Sequence, residues 1–287
     1  MYVVAGVTGN TGKVVAETLL AQRKPVRALV RDEAKGAEWK KRGAEVVVAD
    51  LDDAVALGRA LAGATGAYFL LPAQYRSTDT RVDGAARTRA IVRAIASSSV
   101  AHVVFLSAIG AQHASGVGPV GPLHDAEVAL SRVKAAVTSV RGAQFMENWG
   151  LSLSALAKGV LSTFLATGRA IPFVAAADAG TVSAKALLEG GKGHSVIELA
   201  GPREYTPEDV AAALSRITGS PVTVQQGPAD AMVPALLGAG LNHHWAELYQ
   251  EMTIASNTGH LAWEGGRARL VRGTTEIDAV LSRLVKR

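Results

Sequence analysis

Three glycines set three apart, Gly6, Gly9 and Gly12, separate an apolar run that begins at Tyr2 from a helical pattern of Val14, Val15, Thr18, Leu19 and Leu20. A strand that turns through glycines into a helix leaves the first N–H groups of that helix unpaired and facing the turn. Their partial positive charge suits a phosphate anion. Glycine fits there because it accepts positive φ, or because ligand atoms approach where a Cβ would clash. The expected ligand is a dinucleotide, held by Gly6, Thr8, Gly9, Asn10, Thr11 and Gly12.

The spacing excludes one competitor. A P-loop needs four residues between its first glycine and the Gly-Lys pair, then a Ser or Thr to bind Mg²⁺. Here Gly12-Lys13 lies six positions after Gly6, and Val14 stands where that hydroxyl belongs. The turn also departs from G-x-G-x-x-G, having two residues rather than one between its first glycines. Pro25–Val30 reads as a second strand, and Arg31-Asp32 follows about 20 residues beyond the turn, where the ribose is read. A cation there pairs with the 2′-phosphate of NADP, whereas an acid accepts from the 2′-hydroxyl of NAD. Arg31 comes first and Lys35 lies one helical turn on, which favours NADP (NADPH). Asp32 keeps NAD open.

The chain has 287 residues, 48% of them apolar and 19% charged, enough for one bilobal unit or two modest domains. No stretch reaches the roughly 18 apolar residues of a membrane span. Strand one starts at once, which leaves no room for a leader and points to the cytoplasm. With no cysteine, disulfides, thiolate metal sites and a cysteine nucleophile are excluded. The seven histidines show no metal-binding spacing, and no metal site is expected. A net charge of +5 raises nucleic-acid binding, yet the densest basic run (Arg76, Arg81, Arg87, Arg89, Arg93) is broken by Asp79 and Asp83 and followed by no aromatic. A solvated helix face explains it.

Further along, strands at 44–49, 66–71 and 101–106 alternate with helices at 33–42, 54–62 and 80–97. Near-continuous aliphatic runs describe strands buried on both faces. The fold class is α/β, a Rossmann-type doubly wound parallel sheet with a smaller, mostly helical C-terminal lobe. Residues 1–150 form the NAD(P)-binding domain and 151–287 the substrate lobe, with a strand at 194–199 free to return to the main sheet. Ligands of such sheets bind at the carboxyl ends of the strands, which gathers the turn, Arg31, Asp50, Leu51, Leu71 and Ser107. Gly110 to Pro122 reads as a mobile flap or a plain surface loop. Beyond Trp149 the pattern loosens until Thr206, which N-caps a helix with Pro207 at its first position.

Gly6-Val-Thr-Gly9-Asn-Thr-Gly12, Val30-Arg31-Asp32, Asp50-Leu-Asp-Asp53, Leu106-Ser-Ala-Ile-Gly110, Phe145-Met-Glu-Asn-Trp149, Leu199-Ala-Gly-Pro202 and Arg272-Gly-Thr-Thr275 recur in order. Together they resemble the atypical short-chain dehydrogenases of the NmrA-like group, above all its bacterial NAD(P)H-dependent quinone oxidoreductases and triphenylmethane-type reductases. The resemblance spans essentially the whole chain and implies an NADP-binding lobe and a substrate cleft. The chain departs from the wider superfamily, whose Tyr-x-x-x-Lys pair follows strand five: residues 108–135 hold no tyrosine, and their only lysine is Lys134. Some quinone reductase relatives keep a histidine nearby, so His124 is the candidate catalytic residue, with Glu127 three positions on. An ordinary helix histidine is the alternative.

The chemistry follows from what is missing. Quinones and cationic dyes accept hydride without strong acid assistance, whereas a simple ketone needs its alkoxide stabilised. The reading is an NADPH-dependent reductase of a quinone-like or conjugated small-molecule electron acceptor. Gly6–Gly12 would hold the pyrophosphate, Arg31 the 2′-phosphate and Asp50-Leu51 the adenine edge. Leu71 and Ser107 would flank the nicotinamide ribose. Tyr75, Phe145 and Asn148 would line the acceptor pocket; the alternatives are a surface loop aromatic for Tyr75 and a core side chain for Phe145. A non-catalytic NADP(H) sensor of the NmrA type is the alternative. No membrane or nucleic-acid partner is expected, and a homodimer is left open.

Overall fold

The computed structural model describes residues 1–266 and 268–286. Its strands are β1 (Tyr2–Val4), β2 (Val26–Val30), β3 (Glu45–Val48), β4 (Gly66–Leu70), β5 (His102–Ala108), β6 (Ala136–Gly142), β7 (Gln144–Phe145), β8 (Val160–Thr163), β9 (Ile171–Val174), β10 (His194–Ala200), β11 (Glu204–Tyr205), β12 (Thr223–Gln226) and β13 (Arg269–Arg272). Its α-helices are α1 (Asn10–Ala21), α2 (Ala37–Lys41), α3 (Ala54–Leu61), α4 (Thr80–Ala96), α5 (Gly121–Leu130), α6 (Ala176–Glu189), α7 (Pro207–Thr218), α8 (Met232–Gly238), α9 (His243–Thr258) and α10 (Ile277–Val285).

Eight strands form one parallel sheet in the order β13-β10-β6-β5-β4-β1-β2-β3. The chain runs outward from β1 first through β2 and β3, then returns to β4 on its other side. That reversal opens a crevice at the carboxyl ends of β1 and β4, the place where such sheets bind ligands. One face packs Leu57, Leu61, Phe69, Ile91 and Phe105 beneath α3 and α4. The other packs Val4, Val15, Leu19, Tyr68 and Leu187 beneath α1 and α6.

Segments from beyond residue 150 complete this sheet: β10 pairs with β6, and β13 with β10. Segments before and after β10, together with α10 beyond β13, build a separate small core of Met146, Trp149, Phe173, Tyr205, Leu214 and Leu281, with α7 and α10 around it. Thr206 caps α7 as expected: its hydroxyl accepts from the Asp209 N–H at 3.1 Å, and Asp209 accepts from the Thr206 N–H at 2.9 Å. No helix among the described residues is long and apolar enough to cross a membrane.

The expectation of a loose flap at Gly110–Pro122 is corrected. Ile109, Ala111, Val117 and Val120 are buried with Ala255 and Leu261 in a core of their own, a 3₁₀ turn spans Gly118–Val120, and α5 has begun by Gly121. Burial by residues distant in sequence outweighs the glycine content. Strand five also runs to Ala108, which puts Ser107 inside it.

Candidate functional site

The glycine turn lies at the carboxyl end of β1. Gly6 has φ +67°, and a Cβ there would stand 2.6 Å from Leu70 Cδ2. Gly12 is packed against the strand it has just left: a Cβ would collide with Gly6 O and come within 2.5 Å of Ala5 O. Only glycine lets α1 begin so close to β1. Gly9 is the N-cap of α1, and no side chain caps it. The first-turn N–H groups therefore face the crevice with their partial positive charge. Thr8, Gly9 and Asn10 are exposed there, while Thr11 and Gly12 are buried.

The end of β2 carries the charge. Arg31 and Lys35 are exposed, and neither has a carboxylate partner among the described residues. Asp32 is occupied otherwise: its carboxylate accepts from the Ala34 N–H at 3.0 Å and caps the short turn Glu33–Gly36. Arg31 is free to meet a ligand, while one oxygen of the exposed Asp32 carboxylate is held by the turn. Asp50 holds the next turn by accepting from the Asp52 N–H at 3.1 Å, and Leu51 beside it packs on the core.

At the ends of β4 and β5, Leu71 packs on the same core as Leu51. Two buried polar groups there have no partner among the described residues, the Ser107 hydroxyl and the Gln74 amide nitrogen. Buried polar atoms are nearly always bonded, so two orphans beside the crevice fit a ligand that bonds them. The uncapped helix, the free cations and these orphans together suit a nicotinamide dinucleotide phosphate.

Beyond β4, residues 74–80 are clamped to α9. Trp245 Nε1 donates to Gln74 O at 2.6 Å, and Asn242 Nδ2 donates to Tyr75 O and Ser77 O at 3.1 and 2.8 Å. The Thr80 N–H donates to His244 Nε2 at 3.0 Å. The Tyr75 ring, 55% exposed, lies 4.9 Å from Trp245, whose ring lies 5.7 Å from Tyr249. Burial raises the Tyr249 phenol well above its usual pKa, and Tyr75 adds to the effect. Sequence reasoning missed Gln74 and this clamp. The i, i+4 spacing of Trp245 and Tyr249 on a helix was the available signal.

The other expected residues separate. Phe145 is half-buried against the α1 side of the sheet, and Asn148 is exposed on the 3₁₀ segment Met146–Lys158. Glu147, between them, accepts from the Ala176 N–H at 3.1 Å and so caps α6. His124 and Glu127 do not act together. His124 Nδ1 pairs with Ala111 O at 2.8 Å, while Glu127 bonds the buried Arg141 at 2.6 Å. Arg81 and Arg87 of the basic run pair with Asp125 and Asp52.

A profile of the NmrA-like family matches residues 2–269. The chain belongs to the NmrA-like family. It is 28% identical to an NAD(P)H azoreductase of Xenophilus azovorans over 91% of this chain and 89% of that one. Its structure superposes on an NADPH-dependent quinone oxidoreductase of Escherichia coli complexed with NADPH, with a TM-score of 0.84 and 26% identity, covering 99% of this chain and 100% of the other. The triphenylmethane reductase of a Citrobacter species complexed with NADP(H) also gives a TM-score of 0.84, over 99% and 100% of the two chains; at 20% identity this shows the shared fold. In this NmrA-like chain the crevice, the sheet order and the uncapped α1 coincide at one place.

Proposed function

We propose that the chain is an NADPH-dependent reductase that passes hydride to a quinone-like or conjugated small-molecule acceptor. One observation carries the reading. The site joins an uncapped helix terminus to two unmatched cations, yet α5 offers no tyrosine-lysine acid pair, and its one carboxylate toward the sheet, Glu127, is committed to Arg141. Such a site binds a phosphorylated dinucleotide and favours acceptors that need little acid assistance. The azoreductase and quinone oxidoreductase relatives act on acceptors of this kind by name.

The bound coenzyme supplies the hydride. The Gly6–Gly12 turn, through Thr8, Gly9, Asn10 and Thr11, holds the pyrophosphate. Arg31, with Lys35 beside it, pairs with the 2′-phosphate, and Asp50 and Leu51 border the adenine. Ser107 and Leu71 fix the nicotinamide ribose, and the Gln74 amide adds a donor beside them. Tyr75 faces the acceptor; Phe145, packed on the sheet core, and Asn148, exposed on the 3₁₀ segment, are set apart from it. His124 Nδ1 donates to Ala111 O, which sets the ring orientation and leaves Nε2 toward the acceptor, a donor there only when the ring is protonated. A cytoplasmic setting suits the cysteine-free composition.

NADPH oxidation measured against a panel of quinones, azo and triarylmethane dyes and simple ketones tests the proposal. Turnover is expected with the conjugated acceptors and not with the ketones. Tight NADPH binding with no oxidation by any acceptor would replace the reductase reading with that of a cofactor sensor.

A further inference from the structure

Tyr68 lies mid-sheet on β4, flanked by Val4 of β1 and Val104 of β5, with none of its surface exposed. Packing requires only the ring, and a phenylalanine would supply it. Among the described residues the hydroxyl has one partner: it donates to Thr11 Oγ1 at 3.0 Å, a buried bond between residues 57 apart in sequence. Burial raises the phenol pKa far above its usual value, so Tyr68 keeps its proton.

A threonine hydroxyl accepts and donates. Thr11 Oγ1 accepts from Tyr68, and its own proton meets no acceptor among the described residues. Thr11 is 7% exposed and sits in the first turn of α1, behind the uncapped Gly9. Side chains of a helix tilt toward its amino end, so this proton leans to the same side as the free N–H groups. A donor that is itself receiving a hydrogen bond is strengthened by it.

We propose that Tyr68 is a positioning residue for the coenzyme: by donating to Thr11 it fixes the threonine rotamer and turns the Thr11 hydroxyl proton outward, as a further donor to the pyrophosphate. The inference rests on the NADPH reading of the site. It gives a buried tyrosine, in contact with no ligand, control over how the glycine turn binds.

Calorimetry with NADPH and, by competition, adenosine 2′-phosphate tests it on Tyr68→Phe, Thr11→Val, Thr11→Ser and the Tyr68→Phe/Thr11→Val pair. Adenosine 2′-phosphate keeps the group that Arg31 reads and lacks the pyrophosphate. Tyr68→Phe and Thr11→Val should each weaken NADPH about tenfold, the size of one charge-assisted bond. The pair should be no worse than either single change, Thr11→Ser should bind as wild type, and adenosine 2′-phosphate should bind all four alike. In turnover, Tyr68→Phe should raise KM for NADPH and leave kcat unchanged. Wild-type affinity in Tyr68→Phe, equal losses for both ligands, or multiplied losses in the pair would overturn the inference alone. A wild-type protein that does not bind NADPH overturns it together with the reading beneath it. Should Tyr68→Phe fail to fold, the contrast between Thr11→Val and Thr11→Ser decides in its place.

Discussion

Arg141 on β6 and Glu127 on α5 meet inside the protein at 2.6 Å, with 7% and 11% of their side chains exposed. Glu264 reaches the same guanidinium from the segment before β13, at 2.5 Å. Burial alone would lower the Arg141 pKa, but its bonds to Glu127 and Glu264 outweigh burial and raise it. Removing one partner of a buried pair leaves the other charge stranded, at roughly 3–5 kcal/mol. Glu127→Ala should sit near the lower figure, about 3 kcal/mol, because Glu264 remains. Urea unfolding should show the loss, with NADPH affinity at 25 °C within about twofold of wild type. A stable variant that cannot bind NADPH would mean that Glu127 belongs to the coenzyme site.

Arg31→Ala should separate the two coenzymes. Its guanidinium would lose the 2′-phosphate contact only, so NADPH should weaken about ten- to a hundredfold, as expected for one charge-assisted bond, while NADH hardly changes. Titration with both coenzymes checks this, and equal losses would remove Arg31 from the ribose end.

His124→Gln should lower kcat with a quinone by roughly tenfold, below the usual range for a general acid, because such acceptors need little help. NADPH affinity should stay as it was. An unchanged kcat would make His124 an ordinary helix residue whose bond to Ala111 only shapes the loop.

His102, at the start of β5, is buried at the opposite end of the sheet, with Nε2 2.9 Å from Thr138 Oγ1 and Nδ1 without a partner among the described residues. Burial lowers its pKa from the ordinary 6.5. The fold therefore favours the neutral ring. Its stability is complete above pH 6.5 and is lost as pH falls from there through the folded value. The slope reaches at most about 1.4 kcal/mol per pH unit for one proton. Denaturation midpoints from about pH 7.5 down to about pH 5 should decline, and His102→Gln should flatten that decline. An identical acid slope in the variant would assign the effect to other groups.

Elements whose pattern is local were legible in advance. The strand-turn-helix at Tyr2–Leu20 and the cap of α7 depend on neighbours in sequence, and both stand where expected. Helix α6 was not legible, because Ala176, Ala179, Gly180, Ser183 and Ala184 offer small residues instead of an apolar stripe. Those residues exist for close packing: a Cβ on Gly180 would fall 2.6 Å from Val14 Cβ on α1. Gly110–Pro122 misled for the reverse reason. Its burial depends on Ala255 and Leu261, more than 130 residues away. The candidate site divides in the same way. Gly6–Gly12 and Arg31 follow from spacing, whereas the clamp of Trp245 and Asn242 on residues 74–77 joins segments that no short-range pattern connects.

The order in which the polypeptide visits its large sheet has a consequence for diversification. After β6 the chain leaves to build part of the small core, returns as β10, leaves again through α7 to α9, and returns as β13. The segments beyond β6 that lie outside the sheet are thus two excursions, one from β6 to β10 and one from β10 to the edge strand β13, each anchored at both ends. Either excursion can lengthen, shorten or change its side chains while β1 through β5 keep their register. One sheet in this way leaves room for chemically unlike surroundings at its rim, and neither excursion can be cut away without unravelling the sheet edge that it supports.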